Sequence, residues 1–374
     1  MELEYTHEQL ALQDTLRRFF AREYSFEHRR AIAQSAEGFD RKAWATFARI
    51  GILALPFPED CGGLGGNAVD SMLVMEMLGR GLALEPYVST VVLCGGLIRD
   101  AGSPAQRQSL LPAIVSGTKL LSLAHFEAGG RYEQEHIATK ATVRGAGWTL
   151  SGAKAVVLDA PAADTLIVSA QEDDGESLFL VDAKAPGVQI RGYCTQDGSR
   201  AADVAFIDVP VGGDARIGPA GGANVLIERA LDYARAALCA ESVGIMSVLQ
   251  EATLEYLKTR QQFGVPIGRF QVLQHRMADM VIATEQARSM AILAATQVDV
   301  VDGAARGRAV AGACAYVQAQ ARFVGQQAVQ LHGAIGVTDE INVAHYFKRL
   351  TMIGLTYGDA DFHLRRFSDS LLAS

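Results

Sequence analysis

Apolar positions along the chain change their spacing twice. Up to about residue 119 they recur at helical intervals: EQLALQDTLRRFFAREY sets Leu10, Leu12, Leu16, Phe19 and Phe20 mostly on one stripe. RKAWATFARIGILALPFPEDCGGLGG reads as a helix running into a Pro/Gly loop, and DSMLVMEMLGRGLALEP and PAQRQSLLPAIVSG as helices closed by Gly or Pro. From about Leu120 to Val211 the pattern shortens to β-type runs between glycine turns, among them ATKATVR, GWTLSG, AKAVVLD, TLIVSA, SLFLVDA and VQIRGYC. Close spacing without intervening helices predicts a small antiparallel barrel or sandwich.

After GPAGGAN the helical period returns. Val310, Cys314, Val317, Ala321, Val324, Ala328 and Leu331 alternate steps of four and three without a miss, a seam that buries one face against other helices. With the runs at 226–259, 272–299 and 342–355 this predicts a four-helix bundle. The expected fold class is α+β in three domains: helical over 1–119, β over 120–222, a four-helix bundle over 223–374.

Composition removes several function classes. The 374 residues suffice for two or three cores, and 34 basic against 42 acidic residues give a net charge of −8 with no basic run. Nucleic acid and anionic membrane surfaces, which favour a basic face, are not the expected partners. The start, MELEYTHEQL, does not read as a signal peptide, and no apolar run reaches membrane-spanning length. Five scattered cysteines (Cys61, Cys94, Cys194, Cys239, Cys314) without a C-x-x-C pair read as buried free thiols in a reducing cytosol. The nearest histidine pair, His125 and His136, lacks ligand spacing, so no metal is expected.

Two stretches carry the chemistry. KTRQQFGVPIGRFQVLQH, Lys258–His275, breaks two helices at Gly-Val-Pro-Ile-Gly, with Arg260 on one side of the turn and Gln271 on the other. Alone, Lys258 and Arg260 read as cations offsetting a helix dipole. The second stretch, QLHGAIGVTDE, ends the seam helix with Gln330, Leu331, His332, Gly333 and Ala334. Gly333 and Gly336 allow close backbone approach, and a guanidinium beside orientable amides suits a pyrophosphate.

At these residues the chain resembles the acyl-CoA dehydrogenase family. TRQQFGVPIGRFQVLQH looks like the family's R-x-x-FG…FQ signature and QLHGAIG like its Q-x-x-GG-x-G signature; LALPFPEDCGGLGG and SLLPAIVSGTKLLSLAH are similar to N-terminal landmarks. The resemblance implies an FAD flavoprotein that oxidises an acyl-CoA to the trans-2-enoyl-CoA, usually as a tetramer passing electrons to an electron-transfer flavoprotein. It also implies that Arg260, Phe263, Gln271 and Gln330 to Ala334 hold the ADP half of a neighbouring subunit's FAD.

The reaction takes a proton from the α-carbon of a thioester, which requires a carboxylate base in a dry pocket. At the family's commoner base position this chain has Tyr357, and at its alternative position, one residue before Arg235, it has Ala234. Deprotonating a phenol of pKa near 10 at neutral pH costs about 4 kcal/mol, so Tyr357 is a poor base. Asp232 lies two residues from Ala234, about 200° round the helix, and Asp359 and Asp361 belong to a terminal acidic loop. The family's flavin-ring threonine and proline are also missing from HFEAGGRY, where Phe126 replaces the threonine, and its W-I-T/S element reads Val156, Val157, Leu158.

The losses fall on this chain's own pocket and spare the residues that serve a neighbour. That sorting resembles the small, catalytically silent subunits of heteromeric members, such as dehydrogenases of pimeloyl-CoA and other dicarboxylyl- or steroid side-chain CoA thioesters. The expected partner is a larger catalytic subunit in a heterotetramer. Two alternatives stay open: a self-sufficient homotetramer using Asp232, Asp359 or Asp361, and a structural or regulatory homologue without flavin.

Overall fold

The computed structural model describes residues 4–134 and 137–372. The N-terminal helices are α1 (His7–Glu23), α2 (Phe26–Gln34), α3 (Arg41–Ile50), α4 (Ala68–Gly81), α5 (Gly96–Ala101) and α6 (Pro104–Val115), with a π-helical turn at Val88–Gly95 leading into α5. Their starts follow from local chemistry. Thr6 and Ser103 form capping boxes with Gln9 and Gln106, and Asp40 accepts from the Lys42 amide at α3.

The strands are β1 (Leu121–Ala124), β2 (Lys140–Arg144), β3 (Gly147–Leu158), β4 (Thr165–Glu172), β5 (Gly175–Asp182), β6 (Val188–Cys194), β7 (Arg200–Val211) and β8 (Arg216–Ile217). The sheet runs β6-β7-β3-β2-β4-β5-β8, with β1 paired to β4. It is mixed rather than wholly antiparallel: β1 runs parallel to β4 from Leu121 opposite Thr165 to Ala124 opposite Val168, and Lys140 of β2 makes a parallel bridge to Gln171. Alternation along a strand reports which face is buried and not the direction of its neighbour. One face of the sheet closes over Leu150, Leu166, Val168, Phe179, Val204 and Phe206.

The remaining elements are α7 (Ala223–Thr259), a hairpin of β9 (Gln261–Gln262) and β10 (Val265–Pro266), α8 (Gln271–Gln297), α9 (Gly303–His332), α10 (Val343–Ile353) and α11 (Ala360–Leu372). Every residue of the predicted α9 seam, Val310 through Leu331, is buried. The expected bundle is therefore present with one more helix: residues read as a terminal loop form α11, which packs against α9. Its polar DFHLRR start hid the helical period.

The chain divides into two compact units. One comprises the chain up to Arg29, Ala68–Ala83 and the chain from Arg235; the other comprises Arg30–Asn67 and Leu84–Ala234. In the first unit α4 and α7 cross at glycines: a Cβ on Gly79 would lie 2.2 Å from the Glu241 carbonyl oxygen, and one on Gly244 would lie 2.0 Å from that of Glu76. No helix of the described residues is long and apolar enough to cross a membrane.

Candidate functional site

The arginine turn is a tight hairpin. Val265 pairs with Gln262, which leaves Phe263 and Gly264 as a two-residue loop with φ of +53° and +82°. Two successive positive φ values define the turn that favours Asn-Gly. A phenylalanine there costs about 1–2 kcal/mol of backbone strain. It is nevertheless 90% exposed, touching the edge of the Phe270 ring at 6.0 Å between centroids. An apolar ring held out to solvent on strained backbone is poor for the isolated chain and well suited to stacking on a ligand.

Arg260 follows the last turn of α7; its amide donates to the Tyr256 carbonyl, and its own carbonyl accepts from Ile267. Its side chain is exposed, as are Lys258, Gln271 and Gln330. The end of α9 is drawn to the same place by Tyr256, whose ring stacks on His332 at 4.5 Å and 30°. Arg276 Nη1 donates to Gln327 Oε1 at 3.3 Å, which fastens the start of α8 to α9. The structure thus brings Arg260, Phe263, Gln271, Gln330, Gly333 and Ala334 to one end of the bundle.

Leu331 and His332 stand differently. Both side chains are buried, and His332 Nδ1 pairs with the Ala328 carbonyl at 2.8 Å. Burial lowers the pKa of His332, favouring the neutral ring that stacks on Tyr256. These two position the loop, and Gly333 with φ +67° and open space at its Cα supplies the accessible backbone. Gly336 has a packing role, since a Cβ there would meet the Val329 carbonyl oxygen at 2.6 Å.

Ala234 is completely buried, and neither Ala234 nor Tyr357 offers a carboxylate. Arg235 is 2% exposed, donates Nε to the Tyr357 carbonyl at 3.0 Å and lies over the Phe362 ring. Tyr357 has φ +57° and Gly358 φ +127°, where a Cβ would strike Phe362 and His363 at 2.5 and 2.6 Å. Gln318 Nε2 holds the Gly358 carbonyl at 3.0 Å. Of the nearby carboxylates, Asp359 Oδ1 accepts from the Phe362 amide at the start of α11, Asp361 is an exposed first-turn residue of that helix, and Asp232 is 0% exposed.

His363, fully buried beside this turn, is held neutral: burial, then Arg235 and Arg366, lower its pKa to about 3. His125 is lowered to about 3 as well, by burial and then Lys154. Between pH 6.5 and 3 the unfolded chain takes up a proton at each of these histidines and the folded chain does not, so stability falls as pH drops through that window. Melting temperature is expected to be flat just above pH 6.5 and to decline steadily below it. Replacing His363 by leucine should shallow the decline.

In the β domain the register of β3 against β7 shifts between Lys154 and Val157. Val156 sits in that bulge with φ +53° and its side chain 55% exposed. Val157 points into the core instead, at 2% exposure, so of the two only Val156 stands on the surface. A β-branched residue in left-handed backbone is strained. Val156→Asn is therefore expected to raise stability to denaturant by about 1 kcal/mol, without changing the slope of unfolding.

One feature of this domain escaped the sequence reading. Lys154 is 2% exposed, and its Nζ donates to Glu127 Oε1 at 2.7 Å and to the His125 carbonyl and Ser169 Oγ at 3.0 Å, which satisfies all three donors. Glu127 also accepts from Thr139 Oγ1 and from the amides of Ala138 and Thr139. Burial raises the carboxyl of Glu127, but these partners outweigh it and bring its pKa to about 2; burial lowers Lys154 to about 8. His136 lies outside the described residues; His125 Nδ1 is 2.9 Å from Ser169 Oγ. Among the described residues no cluster of three or more His, Cys, Asp or Glu could hold a metal ion.

Comparison with known proteins places this geometry in a family. Residues 6–118, 122–209 and 220–372 match the N-terminal, middle and C-terminal domains of acyl-CoA dehydrogenase. The acyl-CoA dehydrogenase FadE27 of Mycobacterium tuberculosis is 30% identical over 351 residues, 92% of each chain. Among solved structures, a variant of the Tcur3481-Tcur3483 steroid ACAD is similar at 33% identity and a TM-score of 0.88 over 98% of both chains. The ChsE4-ChsE5 complex of Mycobacterium tuberculosis is similar at 27% identity and a TM-score of 0.90 over the full length of both. The chain belongs to the acyl-CoA dehydrogenase family.

Proposed function

We propose that the chain is the non-catalytic subunit of a heteromeric, FAD-dependent acyl-CoA dehydrogenase and completes the FAD site of a larger catalytic partner. The observation that carries this is Phe263: strained, 90% exposed, and set beside Arg260 at the end of the bundle. In the lone chain such a residue gains only an edge contact with Phe270 for its backbone strain, whereas a diphosphate and adenine ring give the whole group a purpose. FAD, when bound, supplies the acceptor for the hydride leaving the β-carbon of an acyl-CoA thioester. Arg260 would meet the diphosphate, Gln271 and Gln330 would orient it by amide hydrogen bonds, and Gly333 and Ala334 would allow close backbone approach.

This chain's own half-site does not fit a flavin ring or a reacting thioester. Val156 is an exposed aliphatic residue on strained backbone, and no carboxylate stands at Ala234 or Tyr357. The similarity to the ChsE4-ChsE5 complex supports a heteromeric assembly. The full complex would act on an acyl-CoA and pass electrons to an electron-transfer flavoprotein in the cytoplasm.

The reading of a self-sufficient enzyme loses support from the engagement of Asp359 as a helix cap. Dye-coupled oxidation of acyl-CoA thioesters is the test. The chain purified alone is expected to show no turnover. Co-expressed with its companion, it should give an active complex that keeps its rate when Asp232 or Asp359 is replaced by asparagine. Turnover by the lone chain that disappears with either substitution would refute the assignment.

A further inference from the structure

Away from the bundle end, the first unit holds a cavity of about 300 Å³ between the α1–α2 turn, the end of α4 and the start of α10. Its wall contains three guanidiniums, Arg17, Arg29 and Arg80, with no Asp or Glu among its described residues. That is unusual for a chain of net charge −8. Arg29 is 2% exposed; its Nε donates to the Leu82 carbonyl at 2.9 Å, and its Nη1 lies 3.5 Å from His345 Nδ1. A guanidinium is always charged, so one buried in the wall makes the space beside it favourable for an anion.

Arg17 and Arg80 stand at the rim. Each is paired with a carboxylate outside the wall, Arg17 with Asp14 at 2.8 Å and Arg80 with Glu251 at 2.9 Å. Asp14 and Glu251 are 62% and 59% exposed; the pair of Arg17, itself 63% exposed, is worth at most about 1 kcal/mol, and that of Arg80, 27% exposed, is open to solvent on its carboxylate side. Exchanging them for a ligand anion costs little. The rest of the wall includes the rings of Phe20, Tyr24 and Phe26. Gly81 lets the Phe20 ring close on the end of α4, where a Cβ would lie 2.1 Å from it.

We propose that this cavity binds a small organic phosphate carrying a flat ring, the phosphate meeting Arg17, Arg29 and Arg80 and the ring lying among Phe20, Tyr24 and Phe26. Guanidiniums match phosphate oxygens in pairs, and aromatic faces suit a planar ring. The site is separate from the diphosphate arms and does not depend on the function assigned to them. No residue of its wall belongs to the turn at Arg260 or the loop at Gln330.

The test is calorimetric titration of the full chain carrying Arg260→Ala, which removes the other phosphate-binding group, with adenosine 5′-monophosphate, inorganic phosphate and adenosine as probes. The monophosphate is expected to saturate one site, with phosphate binding at least tenfold more weakly and adenosine not detectably. Adding Arg17→Gln and Arg80→Gln should weaken the monophosphate at least tenfold while melting temperature is kept, and should leave FAD content of an otherwise wild-type complex unchanged. No binding of the monophosphate, or binding indifferent to Arg17 and Arg80, would overturn the proposal.

Discussion

Replacing Arg260 by alanine in the assembled complex is expected to lower affinity for FAD by roughly ten- to a hundredfold, with folding and subunit association intact. A hydrogen bond to a charged group contributes about 1.5–3 kcal/mol, and tenfold in affinity is about 1.4 kcal/mol. The side chain is exposed at the end of α7, so its loss leaves no cavity and no buried group unpaired. Lysine in its place should restore only part, because a point charge does not reproduce the planar fork. Equilibrium dialysis of FAD against the complex, followed by flavin fluorescence, measures the effect. The same change in the lone chain should alter nothing, because by this account the flavin ring lies in the partner.

The largest effect on stability is expected in the β domain. Glu127→Gln leaves the ammonium of Lys154 in the core without its hydrogen-bonded counter-charge, with only Glu176 nearby, and Lys154→Met leaves the carboxylate of Glu127 without its own. Breaking one partner out of a buried pair costs about 3–5 kcal/mol. That is a large share of a domain's total stability. The double change Glu127→Gln with Lys154→Met removes both charges while the amide oxygen still accepts from the Ala138 and Thr139 amides, and is expected to recover much of the loss, since a buried ion pair gains little over neutral groups. Urea unfolding of the two single variants and the double variant measures this; a double variant as unstable as the two single losses added together would contradict it.

What could be read in advance, and what could not, follows from which forces leave a mark on sequence. The α9 seam was legible because burial of one helix face repeats along the chain, and each of its seven positions is indeed buried. Arg260, Gln271 and Gln330 could be named because glycines and a proline mark the breaks between helices. The structure then brings these residues to one end of the bundle through Tyr256 and Arg276. Their role with FAD rests on the function proposed for the chain.

The left-handed turn at Phe263 was not legible, since phenylalanine carries no signal for positive φ. Leu331 and His332 shared the motif with exposed neighbours, and only the packing separates those that face solvent from those that face the core. Lys154 was hidden inside AKAVVLD: a lysine in a strand ordinarily points to water, and its acceptors on Glu127 and Ser169 are far away in sequence. The helix α11 was missed because its exposed face is charged, which made Asp359 look free when it caps that helix.

Whether this chain lends its arms to a neighbouring flavin and keeps none itself is tested most directly by flavin content. The chain should be prepared alone and with its companion, and FAD released by denaturation should be counted against each polypeptide. The account predicts a colourless lone chain and a complex with fewer flavins than subunits. One FAD per chain in the lone protein would contradict it.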